Sequence, residues 1–537
     1  MPKKSFPNPN YQSPKYEEKR EEPGESFAKP EQYLEILKEQ GLENQVNAYE
    51  KMLEIASAID SAGGRALLVG GSVRDWLFGK VAKDFDLEVY GLEPDQIEEI
   101  VSQHGKVSAV GKAFGILKVS FGEGIDLDVS LPRTDSKIGE GHRGFEVKAD
   151  PNMTIKDAAK RRDFTMNALC ADPLTGEIFD YFGGVDDIKQ RRLRVTDPER
   201  FRDDPLRVMR ALQFIGRFGL SLDSQSADII REMAPQLKEL PKERIFEEWK
   251  KLLLKSEIPS TGLAAGMALG VFEAIHPEFP PLAETPQDPF WHPEGDVWLH
   301  TLKCMDAAKE VIDVQKMEGD SALAVMIATL CHDLGKVTTT EFSQEKGRLI
   351  SHGHEPAGEE PTNRFLDELG VDNLTRDKVV KLVVNHLAPS TLYINKYEKN
   401  EKITDGAIRR LAKRIYPATI QELVAVALAD HLGRGPFYDD QGQMYFTLYS
   451  AGEFLIDTAR KLGVEKSKPE DIIRGKDLIS LGFQPGPFFG RIIDLANQLR
   501  DEKNFTREQI MEVLEAGSPD DRPRQTELIE KLQAILE

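Results

Sequence analysis

Two aspartates separated by one residue, Asp84 and Asp86, are the first candidates for chemistry. On an extended strand that spacing puts both carboxylates on one face. Acids so placed either stand in solvent as edge residues or share a cation, and a hard ion such as Mg2+ suits oxygen donors. Asp126 and Asp128 repeat the spacing, so one of them can extend the pair toward the acid cluster that two-metal phosphoryl transfer requires. Upstream, Val69-Gly-Gly-Ser-Val-Arg-Asp75 follows an apolar run. Small residues there let backbone N–H groups approach a phosphate, and Arg74 adds a cation, although a plain strand-to-helix turn has the same composition. In Arg161-Arg-Asp163 an arginine stands beside an acid, which suits a triphosphate near a metal cluster. Asp204, Arg207 and Arg210 follow at i, i+3 and i+6, broadly one helix face. An acceptor and a fork of donors on that face can read the hydrogen-bonding edge of a base without a template strand.

A second set is rich in histidine: His300, His332-Asp333 and Asp430, with His354 and His386 placed to extend it to two ions. Histidine and aspartate on neighbouring helices are a common way to hold a divalent transition metal, whose identity the donors alone leave open. Any one histidine reads more simply as a core or surface residue. The ordered set, with His332-Asp-Leu-Gly-Lys336 in it, favours a metal site. Water on such a metal is acidified and can attack phosphorus.

These residues need elements to position them. Ala66-Leu-Leu-Val, Asp86-Leu-Glu-Val-Tyr, Leu117-Lys-Val-Ser-Phe and Ile125-Asp-Leu-Asp-Val-Ser-Leu read as strands. From about Asp186 the pattern is almost wholly helical, with a helix expected to start at Asp204-Pro205, capped by Asp203 or Asp204. The Pro-rich passage Pro277 to Pro293 reads as a linker, and residues 1–30, rich in Pro, Lys, Glu and Ser, as a disordered tail.

The chain has 537 residues, too many for one core, so three or more domains are expected. No apolar run approaches the ~18 residues of a membrane span, and the start lacks the apolar stretch of a secretory signal. Cys170, Cys304 and Cys331 lack metal-ligand spacing; so few thiols suit a reduced cytoplasm. A net charge of −21 argues against nucleic acid over the whole surface. Binding can be local, however, and Lys189, Arg191, Arg192, Arg194, Arg200, Arg202, Arg207, Arg210 and Arg217 form a basic stretch. That stretch is either an RNA-facing stripe or a solvated helix face.

In order, Gly-Gly-Ser-Val-Arg-Asp, Asp84-x-Asp86, Arg161-Arg-Asp-Phe-Thr-Met-Asn-Ala, Asp180-Tyr-Phe-Gly-Gly-Val-Asp-Asp, Asp203-Asp-Pro-Leu-Arg-Val-Met-Arg-Ala and Glu243-Arg-Ile-Phe-Glu-Glu-Trp-Lys-Lys-Leu resemble the motifs of the class II tRNA nucleotidyltransferase and bacterial poly(A) polymerase superfamily. The histidine set resembles the HD phosphohydrolases, and a polymerase head followed by an HD block resembles the layout of CCA-adding enzymes. The resemblance implies an α+β multidomain chain. A small mixed-sheet, polymerase β-like head (31–180) precedes a helical neck (181–274), an HD-type helical body (275–450) and a helical tail (451–537). It implies that Asp84 and Asp86 bind catalytic Mg2+, with Asp128 near the metals and Asp163 a catalytic carboxylate. Gly70, Gly71, Arg74 and Arg162 would contact phosphates; Asp204 and Arg207 would pair with the base of CTP or ATP, supported by Arg210. The implied activity is addition of C, C and A to the tRNA 3′ end. Poly(A) or partial addition is the alternative, and an HD phosphohydrolase with an RNA-binding head the second. Two departures stand out: Asp203 where the family usually has Glu, and Gln213 where an Arg is usual. Gly475 to Pro487 resembles a tail segment whose turns suit phosphate or sugar contacts. Oligomeric state is left open.

Overall fold

The computed structural model describes residues 29–82, 84–108, 116–122, 125–137, 145–435, 437–438, 444–445, 448–515 and 522–536. The tail expected over residues 1–30 lies almost wholly outside them. The chain divides into two compact units, one ending at Ile275 and the other beginning at His276. Among the described residues no helix is long and apolar enough to cross a membrane.

The first unit is built on a sheet whose strands are β1 (Arg65–Val69), β2 (Asp86–Tyr90), β3 (Lys106–Ser108), β4 (Ile116–Gly122) and β5 (Ile125–Ser130). A separate hairpin, β6 (Arg133–Lys137) and β7 (Phe145–Ala149), follows, and β8 (Cys170–Ala171) and β9 (Ile178–Phe179) return to the sheet. The order is β3-β4-β5-β2-β1-β8-β9, with β2 and β5 parallel and the other neighbours antiparallel. Each run expected as a strand is one. Asp84, however, lies in a bend before β2, so strand alternation alone does not set its direction. Leu67, Val69, Tyr90, Ala158 and Cys170 pack as one small core. In front of the sheet, Tyr33 stacks on Tyr49 at 4.5 Å, and its hydroxyl accepts the Ala82 N–H at 3.1 Å.

Beyond the sheet, helix Leu206–Phe218 packs against helices Lys242–Lys255 and Pro259–Ala268. The helical pattern expected after Asp186 is interrupted by short ladders, the first of them in the neck. Arg192–Leu193 and Ser221–Leu222 form a short parallel ladder that pins the neck helix at both ends. Two-residue strands carry too little periodicity to register in sequence.

The second unit is mainly helical, with two short antiparallel ladders, Glu341–Ser343 with Arg348–Ile350 and Phe437–Tyr438 with Met444–Tyr445. Helices Val297–Val314, Gly319–Cys331, Asn373–Val383 and Ile420–Gly433 pack together. Further along, Ile473, Leu478, Phe483, Ile492, Leu499, Ile510 and Leu532 form a separate buried core. The Pro277–Pro293 passage is not a loose linker. Phe279 and Leu282 are fully buried, and Phe279 meets Phe365 at 4.9 Å between ring centres. Proline spacing suggested a tether; the buried aromatic between the prolines decides otherwise.

Candidate active sites

In the first unit, β1 ends at Val69 and Gly70 turns the chain with φ 68°, a left-handed value that a side chain would strain. A Cβ there would also stand 2.9 Å from the Arg162 guanidinium. The following helix, Gly71–Leu77, carries Arg74, which is buried and donates to Asp75 and to Asn167 Oδ1, both at 2.8 Å. Arg161 donates to the buried Glu88 of β2 at 3.0 Å, and Arg162 lies 3.8 Å from the same oxygen.

Asp163 is almost fully enclosed. Its Oδ2 accepts Arg210 Nε at 2.6 Å, while Oδ1 accepts Asn167 Nδ2 at 2.8 Å and the Phe164 N–H at 2.9 Å. Burial raises its pKa, but the Arg210 charge, the Asn167 bond and Arg207 outweigh that and hold it at about 2. Asp204 accepts the Leu206 N–H at 3.1 Å and Arg244 at 2.9 Å, although Pro205 rather than Asp204 is the N-cap of the neck helix. Arg207 donates to the carbonyls of Arg200 at 2.6 Å and Arg161 at 2.7 Å. Gly70, Gly71, Arg74, Arg162, Asp163, Asp204, Arg207 and Arg210 therefore line one cavity of about 360 Å³, with Arg161, Asn167, Leu206 and Arg244 completing the wall. Arg161 and Arg244 sit inside quoted motifs, yet no role was assigned to them; only the fold shows what they face. Gln213 is buried with its amide nitrogen unpartnered and is not part of that wall.

Asp84, Asp86 and Asp128 are not among the cavity walls. The parallel register sets Asp86 directly opposite Asp128, and both are exposed. Lys118 pairs with Asp126 at 2.9 Å. Desolvation at the sheet rim and then the Asp128 charge push Asp86 up to about 6; Asp84 adds to this and Arg162 opposes it. The donors are all hard oxygens, so the residues fit a divalent ion such as Mg2+. Among the described residues, though, every group of three or more ligating atoms within 4.8 Å of one another lies in the second unit. The head carboxylates do not close to that spacing.

Most arginines of the basic stretch from Lys189 to Arg217 are tied to acids or backbone carbonyls. Arg192 and Arg194 pair with the buried Asp187 at 2.6 and 2.8 Å. Arg202 pairs with Glu232 at 2.7 Å, Arg217 with Asp75 at 3.1 Å, and Arg191 donates to the Phe218 carbonyl at 2.8 Å. These pairs fix the side chains but leave Arg192, Arg194, Arg202 and Arg217 between 25% and 36% exposed.

In the second unit, all six expected residues are buried and come together. His332 Nδ1 donates to the Thr329 carbonyl at 2.7 Å, His354 Nδ1 to Ser351 at 2.8 Å and His386 Nδ1 to Val383 at 2.7 Å. Each bond fixes a tautomer and leaves the Nε2 lone pair facing inward. His354 and His386 bring those atoms to 3.2 Å, and His354 Nε2 lies 3.5 Å from Asp333. His300 Nε2 lies 3.0 Å from Asp430 Oδ1, and His332 Nε2 lies 3.2 Å from Asp333 and has no hydrogen-bond partner. Lone pairs converging without a donor need a cation, so this set fits a divalent transition metal. Burial raises Asp333 and Asp430, but His332 and Lys336 for the first, and Arg434 and His300 for the second, hold both well below the usual range. Burial, then the His332 and His354 charges, push His386 down to about 3.

The glycine of His332-Asp-Leu-Gly-Lys336 has a steric reason. A Cβ on Gly335 would stand 2.0 Å from the His354 carbonyl, so the close approach that delivers His354 excludes a side chain. Sequence reasoning missed Glu294, Arg434 and Cys304. Glu294 accepts His292 Nδ1 at 2.8 Å and His300 Nδ1 at 2.7 Å. Arg434 pairs with Asp430 at 2.8 Å, and its i+4 spacing from Asp430 was an available signal. Cys304 stands one helical turn after His300, inside the cluster.

An arginine-lined cavity beside a sheet whose rim carries paired acids, in a chain that also holds a buried His/Asp cluster among helices, defines a protein with two separate polar centres. Comparison with known families agrees. Residues 66–194 match the poly A polymerase head domain, 219–282 the probable RNA and SrmB-binding site of polymerase A, and 297–435 the HD domain. The chain is 33% identical over 400 residues to the multifunctional CCA protein of Xylella fastidiosa (strain 9a5c), covering 72% of this chain and 89% of that one. It is 30% identical over 427 residues to that of Pasteurella multocida (strain Pm70), covering 77% and 96%. This chain belongs to the family of the multifunctional CCA proteins. Its fold matches the crystal structure of the Bacillus stearothermophilus CCA-adding enzyme in complex with CTP, with a TM-score of 0.59 and 23% identity, covering 89% of this chain and 98% of that chain.

Proposed function

We propose that this chain adds C, C and A to the 3′ end of tRNA from CTP and ATP, releasing pyrophosphate. The observation that carries the reading is the head cavity, which gathers the phosphate-side Gly70, Gly71, Arg74 and Arg162 and the base-side Asp204 and Arg207 in about 360 Å³. The names of the relatives support the product. Arg74 and Arg162 offer forked donors to a triphosphate. Asp204 and Arg207 present an acceptor and donors to the base edge; Arg244 holds Asp204, and Asp163 holds Arg210 beside them. Asp84, Asp86 and Asp128 would hold Mg2+. When bound, that ion neutralises the triphosphate and acidifies the attacking 3′-hydroxyl. The three cysteines are free and buried, which suits a reducing cytoplasm.

A second activity is supported by the inward-facing imidazoles of the HD centre: hydrolysis of phosphate esters. His300, His332, Asp333 and Asp430 would hold a divalent transition ion, with His354 and His386 placed for a second. The ion supplies water activation. Asp333, His354 and His386 line a further cavity of about 360 Å³, and Lys336, Arg348 and Arg434 in its wall bring cations to the phosphate oxygens of an ester.

The test is tRNA lacking its last three nucleotides, incubated with CTP, ATP or both, followed by sequencing of the ends. Addition of C, C and A in that order is expected. Long A tracts would make the chain a poly(A) polymerase, and arrest after CC or a requirement for CC-ended tRNA a partial adder.

A further inference from the structure

We propose that Cys304 is a sulfur ligand of the HD-centre metal, adding a sulfur donor to His300, His332, Asp333 and Asp430. The inference rests on reading that centre as a metal site. His300 and Cys304 are four residues apart on helix Val297–Val314, one turn along the same face. His332 follows the end of helix Gly319–Cys331, and Asp430 projects from helix Ile420–Gly433. All four are buried, and one ligand atom from each lies within 4.8 Å of the other three.

The spacings suit a common ion. His300 Nε2 lies 3.0 Å from Asp430 Oδ1 and 3.3 Å from Cys304 Sγ, and His332 Nε2 lies 3.9 Å from Asp430 Oδ1. Bonds of ordinary length to nitrogen and sulfur set tetrahedral donors about 3.3–3.7 Å apart, a spacing that the observed 3.0, 3.3 and 3.9 Å bracket. The second observation is His332 Nε2 itself, which is buried and unpartnered. Its ring is fixed by the Nδ1–Thr329 bond, so a lone pair is held in the cluster with no donor to meet it. Leaving such a group unmet in the interior is unfavourable.

A thiolate among the ligands makes the centre softer, favouring Zn2+ or Co2+ over Mg2+. As the sulfur–metal bond forms, the thiol proton passes to solvent. The competing role for Cys304 is packing, with its thiol 3.9 Å from the Asp430 carbonyl.

Cobalt(II) titration of the metal-stripped full-length protein separates these. A near-ultraviolet sulfur-to-cobalt charge-transfer band is expected, lost in Cys304→Ser and retained in Cys331→Ser. Cobalt uptake that depends on His332 but brings no such band in the wild type overturns sulfur ligation and leaves the metal reading standing. A band that survives Cys304→Ser also overturns it. Uptake unchanged in His332→Ala overturns the metal reading and the ligand together. The wild-type spectrum decides the matter even where Cys304→Ser fails to fold.

Discussion

The head places Asp84, Asp86 and Asp128 at an open sheet rim, exposed and short of ligating distance. The HD centre buries its donors, fixes three imidazoles through backbone carbonyls and cancels its carboxylate charges with Lys336 and Arg434. One arrangement is finished before any ion arrives. The other leaves its anions unneutralised, so a triphosphate carrying its own cation can complete it. A transferase that must admit a new nucleotide three times gains from the second arrangement, and a resident hydrolytic metal from the first. On this contrast, the HD centre takes up a transition ion without substrate, whereas the head binds Mg2+ tightly only together with a nucleotide.

The largest effect tests whether the two centres are separate. Asp86→Ala is expected to lower nucleotide addition by roughly 10³-fold, the worth of several kcal/mol of charge neutralisation, with phosphate-ester hydrolysis unchanged. His332→Ala is expected to do the reverse. Radiolabelled incorporation and phosphate release, measured on the same preparations, check both; loss of both activities in either variant breaks the separation.

Next comes Asp163, which the family resemblance makes catalytic and which the structure ties to Arg210, Asn167 and the Phe164 N–H. Removing one partner of a buried ion pair costs about 3–5 kcal/mol. Asp163→Ala should therefore shift the urea unfolding of the first unit toward lower denaturant. Addition lost with no change in unfolding would return Asp163 to the reacting atoms.

This residue marks the limit of what sequence could tell. β2, β4 and β5 were legible because their apolar residues alternate and β1 because it is a short apolar run ending in glycines, and the ordered motifs brought Arg74, Arg162, Asp204 and Arg207 into one cavity. Motif order says which residues gather, but not which side chain faces which. That Asp163 turns to Arg210, or that the arginines of 191–217 turn to Asp187, Glu232 and Asp75, depends on rotamers and helix crossings with no short-range signature. Glu294 was hidden for a related reason. It stands immediately after the proline-rich passage read as a linker, and its role comes from His300, brought to it by folding.

Glu294 gives the third effect, on the finished centre. A carboxylate that accepts the far N–H of a ligating histidine raises its basicity and fixes its ring, and losing it typically costs about 10–100-fold in metal affinity. Glu294→Gln should weaken cobalt binding by that factor, read by competition with a chromophoric chelator. Metal binding at the head should not move. Unchanged affinity would make Glu294 a packing residue only.

The smallest effect comes from the unfinished centre. Asp86 is pushed up to about 6 by desolvation and its acidic neighbours. With the folded value raised, the proton's contribution to stability is fully present below the unfolded value and lost as pH rises through about 6. For the reaction the sign reverses, since a cation requires the ionised carboxylate. Addition should therefore fall as pH drops through 6, by about twofold at the midpoint, where half the carboxylates are protonated. Asp128→Asn removes the nearest charge and should move that acid limb to lower pH, whatever it does to the plateau rate. Hydrolysis should show no limb from its own acids in this window, because Asp333 and Asp430 are held ionised far below it. An acid limb that stays in place in Asp128→Asn would mean that the rim acids do not act on one another, and the contrast between an open and a finished centre would then rest on burial alone.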